Sequence, residues 1–161
     1  TDSAKAIAVV KHVLLEMENL DNQEYEVIVY LEPPAPFKTS ADIDSCIELF
    51  FEKNPASVVS VNEANQYHPI LMKKIENEQL KPIWKDEPEG VPRQHYKPTA
   101  YMRNGAVYVL KRENILNDVF YGEPIIPYIM PEERSLCIDS MLDWFAAEAM
   151  IMSKSNTGQR S

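Results

Sequence analysis

A carboxylate near the end of the chain stands where a strand pattern gives way to a helix pattern. The apolar run Ile125 to Met130 predicts a strand, and Asp139 comes just before residues with helical apolar spacing. Open α/β sheets bind ligands beyond their strand ends, and a carboxylate there can offer Mg²⁺ a hard oxygen ligand. Ser140 and Asp143 also match an ordinary helix capping box. The pattern therefore indicates either a metal site or a plain helix N-terminus.

Several other chemistries find no support in the sequence. The four glycines match neither G-x-G-x-x-G nor G-x-x-x-x-G-K, so no glycine-rich phosphate loop is predicted. His12, His68 and His95 are scattered and no G-x-S-x-G motif occurs, which argues against a hydrolase triad. A net charge of −9 argues against a nucleic-acid partner. One anionic nucleotide could still bind at a local basic site with a metal.

The elements that must position these residues read as one α/β domain. With 161 residues, the chain is long enough to bury a sizeable core. Apolar spacing predicts a helix over residues 3–18, and continuous apolar runs predict strands buried on both faces at 27–31 and 57–61. Thr39 and Asp42 form a capping box that opens the intervening helix. The order helix, strand, helix, strand is typical of a right-handed parallel α/β unit.

The second half has a different pattern. Residues 72–75 and 80–84 flank a polar turn and predict a protruding hairpin, followed by an irregular, proline-containing segment up to residue 101. Three further elements are predicted before the last helix: a strand at 106–110, a helix at 112–116 and a strand at 125–130. The closing helix would bury a stripe formed by Leu142, Phe145, Ala149 and Met152. We expect a three-layer α/β domain with a hairpin arm.

The cysteines and the apolar runs bear on the compartment. Cys46 and Cys137 lie far apart without metal-ligand spacing, which predicts two reduced thiols in a cytoplasmic protein. No apolar run approaches the length that spans a membrane.

Six segments, taken in order, resemble those of one enzyme family. They are Leu31-Glu32-Pro33-Pro34-Ala35-Pro36-Phe37-Lys38-Thr39, Ser57-Val58-Val59-Ser60-Val61, His68-Pro69 with Met72-Lys73, Arg93-Gln94, Asn104-Gly105-Ala106-Val107-Tyr108, and Arg134-Ser135-x-x-Ile138-Asp139. Their order and spacing are similar to those of the acylneuraminate cytidylyltransferases, the CMP-sialic acid synthetases. The resemblance extends from residue 1 to about residue 152, which leaves 153–161 as an expected flexible tail.

The resemblance implies a fold and a reaction. Such enzymes have a Rossmann-like nucleotidyltransferase sheet and transfer CMP from CTP to a nine-carbon keto-sugar acid, with release of pyrophosphate and with Mg²⁺ as cofactor. The arm, at about residues 72–101, corresponds to the family's dimerisation region, so a homodimer is expected. An alternative substrate is an eight-carbon acid sugar, which the Arg93-Gln94 and Asn104-Gly105 motifs make less favoured.

The resemblance also implies roles for individual residues. Asp139 would be the metal ligand, and Lys73 would stand near the reacting groups, with adjacent Lys74 as the alternative. The residues expected to bind substrate are Glu32, Arg93, Gln94, Asn104, Tyr108, Phe120 and Tyr121. Without the resemblance, the aromatic residues could equally be core, Arg93 a solvated loop residue and the lysines an exposed hairpin edge.

The chain also departs from the family pattern. Cys137 occupies the position of a second Asp, and a neutral thiol is a poor Mg²⁺ ligand. Glu32, Pro34 and Ala35 replace a Gln, a Thr and a Ser that hydrogen-bond the sugar, and Arg103 is displaced by one residue from a family Arg. These changes leave open which keto-sugar acid is used.

One family segment has no counterpart in the sequence. The family begins with a strand and a loop rich in Gly, Ser, Lys and Arg that binds the CTP triphosphate and reads the base, and this would precede Thr1. We therefore expect the chain to correspond to the C-terminal two-thirds of such an enzyme and to be inactive alone. The alternative is a non-catalytic, dimer-forming homologue that has lost CTP binding.

Overall fold

The computed structural model describes residues 6–84, 90, 92 and 95–157. Arg93 and Gln94 lie outside these residues. The helices and strands are α1 (Ala6–Asp21), β1 (Val27–Tyr30), α2 (Ser40–Lys53), β2 (Ser57–Glu63), β3 (Lys73–Glu76), β4 (Gln79–Pro82), β5 (Tyr101–Lys111), α3 (Arg112–Leu116), β6 (Ile125–Ile129) and α4 (Met141–Thr157). None of the described helices is both long and apolar enough to cross a membrane.

Helix α2 begins where the sequence predicts. The Thr39 hydroxyl accepts a hydrogen bond from the Asp42 backbone N–H, and the Asp42 side chain accepts one from the Thr39 N–H. This reciprocal pair satisfies two of the N–H groups that a helix N-terminus leaves unpaired. Asn54 ends the helix in the left-handed conformation at φ 45°. The predicted capping box is therefore confirmed.

The main sheet has four strands in the order β1-β5-β2-β6. Strand β5 is antiparallel to both β1 and β2, and β2 is parallel to β6. Consequently β1, β2 and β6 run in one direction, but β5 separates β1 from β2. The prediction that 27–31 is buried on both faces was wrong, because β1 is an edge strand in the described sheet and Val29 is 37% exposed.

Alternate residues of the central strands face two cores. Val107 and Val109 of β5 pack with Cys46 and Phe50 of α2. Tyr108 and Leu110 face the opposite side, where they pack in one cluster with Val10 and Leu14 of α1 and with Ile115 of α3. Because successive side chains of a strand point to opposite faces, one strand serves both cores. Helices thus cover both faces of a mixed sheet, as the expected three layers require, whereas a Rossmann-like arrangement stays a prediction.

The predicted hairpin is present as a separate two-stranded sheet. Strands β3 and β4 pair antiparallel, with Ile75 opposite Leu80. These two apolar side chains are 80% and 71% exposed. The role of this arm in dimerisation stays a prediction.

Helix α4 differs from its prediction in length and burial. It continues to Thr157, past the expected domain boundary at 152. The predicted buried stripe was wrong, since Leu142 is 77% exposed, Phe145 59% and Met152 64%. Ala147, on another side of the helix, is the residue that is buried. The apolar spacing is helical, but among the described residues only a narrow side of the helix meets the rest of the domain.

Candidate functional site

An open cleft of about 1110 Å³ lies where several strands end. Its walls come from the segments after β1, β2 and β6 and from the beginning of antiparallel β5, which meet at the same edge of the sheet. Ligands of open α/β sheets bind beyond the carboxyl ends of parallel strands. Five of the residues predicted from the sequence line this cleft: Glu32, Asn104, Tyr108, Tyr121 and Asp139.

The other predicted residues lie elsewhere. Lys73 is on β3 of the hairpin and Phe120 is part of the core on the α1 side; neither is among the described cleft residues. Arg93 and Gln94 cannot be located, because they fall outside the described part of the chain. The roles proposed for all of these residues stay predictions.

Glycine at position 105 allows the Pro-rich loop, residues 31–39, to approach β5 closely. Gly105 has a φ of +68°, and a Cβ placed there would lie 2.6 Å from Glu32 Oε2 and 3.8 Å from Cys137 Sγ. Any larger residue would push the Glu32 carboxylate away and would itself be strained at this φ. Gly105 thus brings Glu32 and Cys137 together at one point of the cleft, although 105 positions separate them in sequence.

Tyr108 connects the cleft to the aromatic core. It is 4% exposed, and its ring lies 6.0 Å from the rings of both Phe120 and Tyr121. Burial raises the pKa of its phenol, and the charge of Glu32 and a hydrogen bond to that carboxylate raise it further. Tyr108 is therefore a neutral hydrogen-bond donor at ordinary pH, directed at Glu32.

Tyr121 faces the cleft beside a cation. The Arg103 guanidinium donates a hydrogen bond to the Tyr121 hydroxyl, and its Cζ lies 5.0 Å from the ring centroid. This arrangement combines a polar contact with a cation–π contact. The resemblance identifies Arg103 as displaced by one residue from a family Arg, and Arg103 is not among the residues predicted to bind substrate.

The amide of Asn104 is occupied by protein partners. Its Oδ1 accepts hydrogen bonds from Ser60 Oγ at 2.7 Å and from Ala106 N at 3.2 Å. Its Nδ2 donates to Ser135 Oγ at 3.0 Å and to Met130 Sδ at 3.3 Å. A buried, satisfied amide of this kind rigidifies its surroundings. Asn104 therefore ties β5 to β2 and to the segment after β6, while contact with a sugar stays a prediction.

Asp139 lies in an irregular segment of the cleft wall. Its carboxylate is exposed and is hydrogen-bonded to the thiol of Cys137. Burial, followed by this hydrogen bond, raises the pKa of Cys137 to about 11, so the thiol is protonated at neutral pH. Asp143, in contrast, is committed to the helix cap, accepting from Ser140 N at 2.8 Å and Ser140 Oγ at 2.6 Å. The capping box is therefore confirmed for Ser140 and Asp143, whereas a metal ion at Asp139 stays a prediction.

These groups limit which metal site is possible. Within residues 6–84, 90, 92 and 95–157, no three His, Cys, Asp or Glu side chains form a group that could hold a metal ion. Mg²⁺ is commonly held by one or two carboxylates together with substrate phosphates. Asp139 fits that pattern as a single protein ligand. The neutral Cys137 thiol does not fit.

The cleft is strongly acidic. Its described lining carries one cation, Arg103, and the carboxylates of Glu32, Glu63, Glu132, Glu133, Asp139 and Asp143. An anionic ligand would be repelled here unless a metal ion or further cationic groups offset the charge.

Lys38 is a residue near the site that the sequence interpretation missed. Its Nζ donates to the carbonyl oxygens of Glu32 and Ala35, both at 2.8 Å, and so closes the Pro-rich loop on itself. Burial lowers the pKa of this ammonium, while the charge of Glu32 acts in the opposite direction. Lys38 could have been found from the sequence, because it is the basic residue of the quoted segment Leu31 to Thr39.

The curated proteins that are similar to this chain include the following two. The post-translational flagellin modification protein B of Campylobacter coli is 28% identical over 155 residues, which cover 96% of this chain and 65% of that protein. The N-acylneuraminate cytidylyltransferase of Escherichia coli O18:K1:H7 (strain RS218 / NMEC) is 28% identical over 159 residues, 97% of this chain and 36% of the enzyme. The chain thus spans less than two thirds of the length of either relative. No family model matches it. These similarities support the resemblance to the cytidylyltransferases.

Proposed function

We propose that this chain is part of a cytidylyltransferase that transfers CMP from CTP to a nine-carbon keto-sugar acid of the sialic type and releases pyrophosphate. The observation that carries the proposal is the cleft: five of the residues predicted to form the site, from Glu32 to Asp139, line it although they are distant in sequence. The similarity to a named N-acylneuraminate cytidylyltransferase supports the same reaction class. A cytoplasmic location is part of this proposal.

The residues of the cleft suit parts of this reaction. Nucleotidyl transfer depends on positioning and on neutralising phosphate charge, which bound Mg²⁺ supplies. Asp139 is the residue that would hold the ion together with CTP phosphates. Tyr108 and Glu32 provide a neutral donor beside an acceptor, a pair suited to sugar hydroxyls. Arg103 is the described cation that could face an anionic group of either substrate.

The second candidate is a non-catalytic, dimer-forming homologue. The protonated thiol of Cys137 at a metal-ligand position and the acidic lining of the cleft favour it. The exposed apolar residues of the hairpin, Ile75 and Leu80, would then serve a homodimer contact without catalysis. Both candidates expect a dimer, so activity decides between them.

The decisive experiment uses the protein from its native source, with its intact mass measured first. Pyrophosphate release is then followed with CTP, Mg²⁺ and N-acetylneuraminate, legionaminate or pseudaminate in turn. Asp139→Asn should lower kcat by about 100-fold or more, because a carboxylate holding the metal acts directly on the transition state.

Asp143→Asn is the matched control, because this carboxylate lines the same cleft but bonds to its own helix cap. It should retain most of the activity. Absence of pyrophosphate release with all three sugars would reject the cytidylyltransferase and leave the non-catalytic homologue. Equal losses in the two variants would reject the role of Asp139.

A further inference from the structure

Two arginines of this protein make the same kind of ion pair in different places. Arg134 donates from Nε and Nη2 to the two carboxylate oxygens of Asp42, at 3.0 and 2.8 Å. Arg112 donates from the same two atoms to Glu18, at 2.7 and 3.0 Å. Two-point pairing of this kind fixes direction as well as distance. The first pair adjoins the cleft, whereas the second joins α1 to the beginning of α3.

Asp42 is bonded far beyond the needs of a helix cap. Its side chain is 1% exposed, and it also accepts from Thr39 N at 2.9 Å, Thr39 Oγ1 at 2.7 Å and Tyr128 OH at 3.1 Å. The bond from Thr39 N alone completes the capping box. A carboxylate buried this deeply requires a countercharge, and Arg134 provides it.

Arg134 is the first fixed point of the segment that carries Asp139. It ends a short 3₁₀ turn, Glu132–Arg134, and the following residues up to Ser140 form neither helix nor strand. Two further bonds hold this segment: Ser135 Oγ accepts from Asn104, and Ile138 N donates to Pro34 O at 2.8 Å. Asp42 thereby connects the N-terminus of α2 to the segment that carries Asp139.

We propose that Arg134 and Asp42 are positioning residues, which hold the 134–139 segment so that Asp139 stays in the wall of the cleft beside Cys137. The ion pair with Asp42 holds Arg134, at the start of the segment, against α2. The Pro-rich loop ends at the cap residue Thr39, and the carbonyl oxygen of its Pro34 accepts the bond from Ile138 N. Both the loop and the 134–139 segment are therefore held at the N-terminus of α2. Only the catalytic consequence of this arrangement rests on the proposed function.

The two cysteines of the chain can report whether the 134–139 segment is held in place. Cys137 lies inside the held segment and is half-buried, and Cys46 is fully buried on α2, one turn from Asp42. The rate of alkylation of Cys137 by iodoacetamide, followed by mass spectrometry, reports the position of the segment and requires neither CTP nor metal. Cys46 reports any loosening of the core.

Arg134→Gln should accelerate alkylation of Cys137 about tenfold while Cys46 stays protected, because the segment opens locally and the core does not. Arg112→Gln is the matched control: it removes a pair of the same geometry away from the cleft and should leave Cys137 unchanged. Arg134→Lys keeps the charge but loses the two-point contact, and it should give an intermediate rate.

Unchanged Cys137 alkylation in Arg134→Gln would overturn the proposal. Equal acceleration at Cys46, or in Arg112→Gln, would also overturn it, because it would indicate general loss of stability. If Arg134→Gln does not fold, the rate in Arg134→Lys decides in the same way. In the pyrophosphate assay Arg134→Lys should lower kcat more than it changes KM for the sugar. A labelling change without any pyrophosphate release would reject the proposed function and keep the positioning role.

Discussion

Helices α2 and α4 begin with the same local motif and end in different environments. Thr39 and Asp42 cap α2, and Ser140 and Asp143 cap α4, each through a side chain that accepts from the backbone N–H of its partner. Asp42 is 1% exposed and paired with Arg134. Asp143 instead lines the open cleft, bonded to Ser140 and to the N–H of Asp139.

The difference shows what a capping box does and does not specify. It sets where a helix starts, because the hydrogen bonds are made between residues three apart. It does not set which side of the helix is buried. Helix α2 packs against three strands of the sheet and buries Cys46 and Phe50, whereas in α4, among the side chains of residues 141–153, Ala147 is the buried one. The same signal therefore begins a core helix in one case and a cleft-side helix in the other.

The largest difference in the free energy of unfolding is expected between substitutions of two phenylalanines. Phe50 of α2 is 3% exposed in the core, and Phe145 of α4 is 59% exposed. Phe50→Ala should lower the free energy of unfolding by about 4 kcal/mol through lost burial and a cavity. Phe145→Ala should change it by less than about 0.5 kcal/mol. Urea unfolding of the two variants measures both values, and a large loss for Phe145→Ala would mean that α4 is covered in solution.

A somewhat smaller difference in stability is expected between substitutions of the two capping carboxylates, Asp42 and Asp143. Asp42→Asn should lower the free energy of unfolding by about 3 kcal/mol, because it leaves Arg134 without its counterion in a mostly buried place. Asp143→Asn removes only contacts within its own helix terminus and should shift the thermal midpoint much less. Calorimetry of both variants, with the wild type as reference, tests this. Equal midpoint shifts would contradict the assigned difference.

The smallest effect is the dependence of stability on pH at Asp42. Burial favours protonation of Asp42, but the hydrogen bonds from Arg134, Thr39 and Tyr128 outweigh it and lower the pKa to about 2 from the usual 3.8. A lowered carboxylate pKa stabilises the fold above the unfolded value and loses that effect as pH falls through the folded value. The contribution at neutral pH is about 2 kcal/mol.

Urea unfolding of wild type and Asp42→Asn at several pH values measures this contribution. The stability difference between the two proteins should be full above about pH 5 and shrink steadily towards about pH 2. A difference that does not depend on pH would show that charge at Asp42 is irrelevant.

Much of the fold could be predicted from the sequence, because its signals are local. The helix at 112–116, the hairpin with its polar turn and the Thr39 cap depend on neighbouring residues, and the structure confirms each of them. The position of 27–31 at the sheet edge could not be predicted. A continuous apolar run fits an inner strand of a parallel sheet, but here β5, from far along the chain, takes the inner place.

For the candidate site, too, the sequence predicted some features and not others: it predicted residues of the cleft but not the contacts that hold them. The resemblance selected Glu32, Asn104, Tyr108, Tyr121 and Asp139, and the fold brings them to one cleft. Sequence gave no indication that Asn104 would have its amide occupied by Ser60 and Ser135, or that Arg134 would pair with Asp42. Such contacts join residues dozens of positions apart, and they depend on strand order and register.

The amino-acid sequence by itself determined the type and order of most elements and the start of α2 at its cap, because caps, turns and apolar spacing act over a few residues. Tertiary structure alone decided which apolar faces are buried and which carboxylates are paired. Asp42 and Asp143 have the same local hydrogen-bonding pattern, yet only Asp42 meets an arginine in a buried place. The reason is physical: burial and countercharge are properties of the space around a side chain, and distant segments fill that space.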